Sequence, residues 1–265
     1  MQSISNFFKG FYMSLGMFTA IPLPRKIWDE KLIFHMLIGF PLVGLIVGAI
    51  WWLAALLITT LSVPTMLTAA VLCLAPFLIA GFIHLDGYMD TSDAVLSRRE
   101  PDDKLRILLD SRVGAFAVIM LAILFILQFS AMYVIAENGK FFALLIVIST
   151  LSRCCAAFSF FCLRHNSKSD FVLMFKQKIS ASYKIFVVII AVLATGASFL
   201  YAGFLGLAVS AVVILGYLLA IWRSSKSLGG ISGDLLGYAL VISELFGLVA
   251  FAVLYGAFWE LGIRS

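Results

Sequence analysis

"GFPLVGLIVGAIWWLAALLITT", residues 39–60, runs for 22 residues without one charged side chain. The hydrocarbon core of a bilayer is about 30 Å thick and needs roughly 20 apolar residues wound as a helix, so this stretch is long enough to cross it. Similar stretches recur along the 265 residues: the chain is 63% hydrophobic and 12% charged, with a mean hydropathy of +1.08, where soluble domains hold about 45–50% apolar residues. The sequence therefore predicts an all-α, polytopic membrane helical bundle. No stretch is left over for a sizeable soluble domain, so residues 1–265 read as one membrane-embedded domain.

About seven spans can be drawn: 32–61, 64–83, 113–136, 141–163, 183–202, 203–222 and 235–258. Residues 4–21 form a shorter, glycine-interrupted apolar segment, and 1–31 is expected to lie along the membrane interface. The N-terminus lacks the basic start and small-residue cleavage site of a signal peptide, so the first helix is expected to remain. Cytoplasmic loops are enriched in Lys and Arg. The N-terminal segment, the stretches 84–112 and 164–184 and the 223–234 connection carry sixteen of them, against two (Lys140 and Arg264) in the alternate connections and the C-terminal tail. This predicts a cytoplasmic N-terminus, with 84–112 and 223–234 as cytoplasmic loops. The net charge of +5 is explained by that topology, because the basic residues form no stripe for nucleic acid.

Small features read mostly as packing. Gly44 and Gly48 have the GxxxG spacing that lets two helices approach closely. Cys73, Cys154, Cys155 and Cys162 fall in apolar spans without a CxxC pair, which favours packing over disulfide or metal chemistry.

The acids are placed differently. Of fourteen, Asp86, Asp90, Asp93, Asp110, Asp234 and Glu244 lie in or beside apolar spans. In "HLDGYMDTSDAV" (84–95), Asp86, Asp90 and Asp93 stand at i, i+4 and i+7, within about 60° of arc on a helix. Like charges so spaced oppose a helix, and at a membrane boundary they must protonate, pair with cations or bind a metal. A hard divalent ion fits best: Mg²⁺ takes oxygen ligands and commonly uses one or two carboxylates plus a substrate's phosphates. Gly87 leaves room for a close approach to Asp86. His84 is a candidate to bond a carboxylate, touch a phosphate or move a proton.

"SLGGISGDLLG" (227–237) is the second constellation. Gly229, Gly230 and Gly233 can turn backbone N–H groups toward an anion, and Asp234 can also meet a metal. Arg153 and Glu244 are ionisable groups inside spans; they either serve function, Arg153 as a substrate-binding group, or pair across helices.

Taken together, "FTAIPLP", "GFPLVGLIVGAI", "GFIHLDGYMDTSDAV", "LLDSRVGAFAV", "LSRCCAA" and "LGGISGDLLGYALVISEL" resemble the cobalamin synthase (adenosylcobinamide-GDP ribazoletransferase) family over most of the chain. Ala20, Ala94, Ile231, Ser232 and Val241 depart from its usual pattern, Val241 most, since an acid often stands there. The resemblance implies a bacterial inner-membrane enzyme in which the 3′-hydroxyl of α-ribazole, or of its 5′-phosphate, attacks the cobinamide-linked phosphate of adenosylcobinamide-GDP and GMP leaves. It also implies Mg²⁺. Asp86 and Asp90, completed by Asp93 or Asp234, would then hold the metal. Asp93, aided by His84, would serve proton transfer, and Arg112 with Gly229, Gly230 and Gly233 would bind phosphate. Homo-oligomerisation stays open. A CDP-alcohol phosphatidyltransferase also clusters aspartates around a divalent ion, but its DxxDGxxAR pattern is absent. A cation transporter would place acids near the midplane in two similar halves, which this sequence does not show.

Overall fold

The computed structural model describes residues 2–165 and 180–260. Lys168, Lys176, Lys178 and Arg264 of the charge count lie outside the described residues. The elements are α1 (Gln2–Phe18), a 3₁₀ turn (Glu30–Leu32), α2 (Ile33–Thr60), α3 (Thr65–Ala80), α4 (Ile83–Leu96), α5 (Pro101–Leu108), α6 (Ala115–Asn138), α7 (Leu144–Cys162), α8 (Ala181–Leu228) and α9 (Gly233–Glu260). No strand occurs among the described residues. The protein is a multi-pass helical membrane bundle: α2, α6, α7, α8 and α9 are long and apolar enough to cross a bilayer, and α3 with α4 forms a further pair broken by a 96° bend.

α8 is 48 residues long but is not one rod. Ala202 and Gly203 leave helical geometry, Gly203 at φ 57° and ψ −137°, where glycine is tolerated without a Cβ clash. The chain folds back there: the Ser198 and Ser210 hydroxyls are 2.9 Å apart, whereas residues twelve apart on a straight helix would be separated by about 18 Å. The limbs 181–201 and 204–228 thus account for two of the spans expected from sequence. Gly206 permits the close return, since a Cβ there would lie 2.1 Å from the Ser198 carbonyl oxygen.

α7 is the central post, with 83% of its most apolar stretch buried, against 28% for α6. It packs on α2, α8 and α9. Gly44 and Gly48 make the α2–α7 approach possible: a Cβ at Gly44 would lie 2.6 Å from the Ser149 carbonyl oxygen, and one at Gly48 would lie 2.6 Å from Ile146 Cα. The reading of these glycines as packing residues therefore holds. All four cysteines are free.

Proline organises α3. Pro76 lacks an N–H, so the Leu72 carbonyl four residues back has no helical partner. The Trp51 indole N–H fills that place at 2.9 Å, and the Gln128 amide donates to the adjacent Cys73 carbonyl at 2.9 Å. These bonds tie α2 and α6 to α3 in the middle of an apolar core, where an unmet carbonyl would be costly.

One correction concerns the segments expected to be cytoplasmic loops. Residues 84–112 hold α4 and α5, and 223–228 are the last turns of α8. The helical spacing of the three aspartates holds, but the segment between spans is not a loop: α4 buries one side against α6 and α9 while its polar side stays outside. Gly81 (φ 72°) and Phe82 (φ 63°) make the sharp entry into α4. Ala20 N–H bonds the Ile79 carbonyl at 2.8 Å, which seats the chain leaving α1 against this bend. α1 itself packs on the start of α2, with Gly10 against His35 and Gly39 against Phe11.

Candidate active site

α4 places Asp86, Asp90 and Asp93 on one face, Asp86 exposed and the other two half-buried. His84, Leu85, Gly87, Tyr88, Thr91, Ser92 and Ala94 are buried. The buried side seats on the first turns of α9: Tyr88 stacks on Tyr238 with ring centres 5.7 Å apart, and a Cβ at Gly87 would lie 2.9 Å from both Cα and O of Asp234. Glycine at 87 is therefore what brings the fourth aspartate to the other three. Gly87→Ala sets a methyl against backbone that cannot swing away. We expect it to lower stability by about 1–3 kcal/mol, read as earlier thermal unfolding in detergent; unchanged unfolding would mean that the α4–α9 contact is looser than described.

α4 turns away from α3 and lies outside the five long spans. Asp90 there has its carboxyl pushed up from 3.8 to about 6, first by partial burial and then by the negative charges of Asp86, Asp234 and Asp93. All three neighbouring carboxylates push Asp90 in the same direction. Asp93 lies against the start of α6: a Cβ on Gly114 would lie 1.9 Å from Asp93 Oδ2 and 2.2 Å from Oδ1. The unpaired N–H groups of a helix's first turn favour an anion there. Ser232 begins α9 in the manner of a helix cap, its hydroxyl accepting from Leu235 N–H at 3.4 Å and reaching the Asp234 carboxylate.

The donor set suits a hard cation. Among the described residues, no three His, Cys, Asp or Glu side chains converge tightly enough to hold an ion unaided. Mg²⁺ does not require this, since it keeps waters and shares carboxylates with phosphates. Asp86, Asp90 and Asp234 fit an ion held jointly with a bound diphosphate, and Asp93 stands beside them on Gly114.

The other candidates fare differently. Arg112 is exposed and forked on Asp110, with Nη2–Oδ2 at 2.7 Å and Nε–Oδ1 at 3.1 Å. Its guanidinium holds the Asp110 carboxyl below the usual carboxylate range. It sits in the 109–114 connection that ends at Gly114, near Asp93, and must exchange Asp110 for phosphate to act on substrate. Gly229 and Gly230 do have positive φ, but both N–H groups go to the Ser225 carbonyl, that of Gly230 at 3.0 Å. Their freedom closes α8 and leaves neither N–H for an anion. Gly233 is exposed at the opening of α9, ahead of the Leu235 and Leu236 N–H groups that Ser232 takes up.

Arg153 is not at the surface. It is 1% exposed, and its Nη1 meets Glu244 Oε1 at 2.5 Å, so of the two readings left open the interhelical pair is the one formed. Val241, where an acid might have stood, is 2% exposed and packed among apolar groups. His84 points away from the aspartates, because residues two apart on a helix lie about 200° apart.

Sequence reasoning missed Gly114, Ser232 and the link from Lys104 Nζ to Ser227 Oγ at 2.8 Å that joins α5 to the end of α8. Ser232 carried a usable signal, a serine directly before a helical apolar pattern. The other two depend on contacts between distant segments.

The family model for cobalamin-5-phosphate synthase matches residues 10–252. An adenosylcobinamide-GDP ribazoletransferase of Clostridium botulinum (strain Alaska E43 / Type E3) is 38% identical over 245 residues, covering 92% of this chain and 97% of that protein. The enzyme of the same name from Clostridium perfringens (strain ATCC 13124) is 37% identical over 249 residues, covering 94% and 99%. That from Shigella boydii serotype 4 is 32% identical over 248 residues, covering 91% and 98%. No solved structure matches the chain.

Proposed function

The chain belongs to the cobalamin-5-phosphate synthase family, and on that premise we propose that its aspartate end is where adenosylcobinamide-GDP is joined to α-ribazole or α-ribazole 5′-phosphate. It is a transferase of cobalamin biosynthesis. The observation that carries the site assignment is the meeting of Asp86, Asp90 and Asp93 on α4 with Asp234 at the start of α9, made close by Gly87.

In the reaction, the 3′-oxygen of the ribazole forms a bond to the cobinamide-linked phosphorus. The bond from that phosphorus to the bridging oxygen of the diphosphate breaks, and this oxygen leaves with the electron pair as part of GMP. Asp86, Asp90 and Asp234 would hold Mg²⁺, which when bound offsets the charge growing on the departing phosphate. Asp93 accepts the proton of the attacking hydroxyl. The N–H of Gly233, at the opening of α9, is offered to a phosphate oxygen, and Arg112, once it releases Asp110, supplies a cation.

The same end carries most of the Lys and Arg by sequence count, which supports its facing the cytoplasm of a bacterial inner membrane. The corrinoid would rest on that surface, near the α3–α4 bend where the segment after α1 is bound.

Purified protein in detergent or liposomes, given adenosylcobinamide-GDP and α-ribazole or its phosphate with and without Mg²⁺, is expected to release GMP only with the metal, and to favour one nucleoside. GMP release at an equal rate with a chelator present would remove the metal from this reading. No GMP from either acceptor would remove the reaction.

A further inference from the structure

At the first turn of α4 lies a small cavity of about 10 Å³, lined by His84, Arg153, Val241, Glu244 and apolar residues of α3. That volume admits one water. Two of its lining side chains are buried with a polar atom that has no hydrogen-bond partner: Nε2 of His84, which is 8% exposed, and Nε of Arg153, which is 1% exposed. Buried polar atoms are nearly always bonded, and two orphans at one water-sized hole point to the same missing partner. The neighbouring Nη1 and Oε1 atoms are already bonded. Arg153 Nη1 bonds Glu244, the Ser149 carbonyl at 2.9 Å and the Ser149 hydroxyl at 2.8 Å, while Ser152 donates to Glu244 at 2.9 Å.

We infer that one ordered water occupies this cavity and bridges Arg153 Nε to His84 Nε2, making His84 a positioning residue that anchors the first turn of α4 to the buried Arg153–Glu244 pair. The Nε–H of Arg153 donates to the water, and the water donates one proton to His84 Nε2. Its other proton can reach Glu244. The imidazole is otherwise held only by rings: Phe18 stacks at 5.9 Å and Phe40 lies at 5.7 Å, and Phe40 also lies 5.9 Å from the Arg153 guanidinium carbon. Rings fix a plane but leave sliding within it open, whereas a hydrogen bond fixes a direction. Asp86 leaves the same turn of α4 on the opposite face, so a fixed His84 fixes the carboxylate. His84 itself, buried and turned from the aspartates, does not touch the reacting atoms.

This rests on the proposed aspartate site, and the test separates the two. His84→Phe keeps the ring packing and removes the acceptor. His84→Gln places a polar group near Nε2. Metal affinity is read with adenosylcobinamide-GDP bound and no acceptor nucleoside present, from the Mg²⁺ concentration that half-maximally raises the unfolding temperature in detergent. The expected result is a rise of about tenfold in that concentration for His84→Phe and under threefold for His84→Gln, with GMP release following the same order and the pH profile of the Gln variant unchanged. A Gln variant as impaired as Phe, or one that loses a limb of the pH profile, would overturn the positioning role in favour of proton transfer. A Phe variant equal to wild type would overturn it outright. An experimental map decides the water independently of the metal: density between Arg153 and His84 is expected, and a dry cavity there would sink the bridge even if the aspartates bind Mg²⁺ as proposed.

Discussion

Asp90→Asn should unfold at a higher temperature than the wild type and release GMP at least about a hundredfold more slowly. The two effects share one cause. Asp90 is pushed up to about 6 by burial first and then by Asp86, Asp234 and Asp93, so its ionised form is disfavoured in the folded protein. A folded carboxyl titrating above its unfolded value costs stability at neutral pH, and that cost is relieved as pH falls through about 6. Without screening, a carboxyl carried from 3.8 to about 6 would cost about 3 kcal/mol. Asp90 is only half-buried, so water screening brings the expected gain for asparagine to about 1 kcal/mol. Activity moves the other way, because removing a charge aimed at a reacting phosphate costs about a hundredfold or more. Thermal unfolding without metal at pH 7.5 and 5.5 gives the check: the wild type gains on acidification from this group and the variant does not. A variant that unfolds earlier at neutral pH, or that keeps a third of wild-type activity, would show that Asp90 is neither strained nor used.

Glu244→Leu or Arg153→Met should each destabilise by about 3–5 kcal/mol, while the double replacement recovers most of the loss. With side-chain exposures of 1% and 7%, the pair sits where an uncompensated charge cannot reach water. Breaking one half leaves that charge behind, whereas replacing both removes the problem along with the attraction. The fraction of folded monodisperse protein in detergent, followed through heating, measures it. Single variants as stable as the double would mean that the remaining charge finds solvent. The double variant should still lose activity about tenfold, because the bridge to His84 goes with Arg153.

The spans were legible because each crossing demands about 20 apolar residues, a requirement local to the sequence. The division of α8 at 202–203 was drawn as well, between the spans 183–202 and 203–222. That the helix of the aspartates packs into the bundle, with a second helix after it, was not, since a half-buried polar helix resembles a loop until its packing partner is known. The roles of Gly229 and Gly230 were misread for a similar reason: glycine signals backbone freedom, but which acceptor takes the freed N–H depends on the Ser225 carbonyl nearby.

The sequence by itself determined a polytopic helical membrane protein and three aspartates on one helical face, because periodicity and spacing are properties of a single segment, and its motifs together carried the resemblance to the family. Only the tertiary structure decided that Asp234 joins them across Gly87, that Asp93 lies on Gly114, and that Arg153 serves Glu244 while His84 turns away from the aspartates. Those outcomes depend on how closely separate helices approach, and that is set by which atoms are missing at the contact: no Cβ at residues 44, 48, 87 and 114, and no N–H at Pro76.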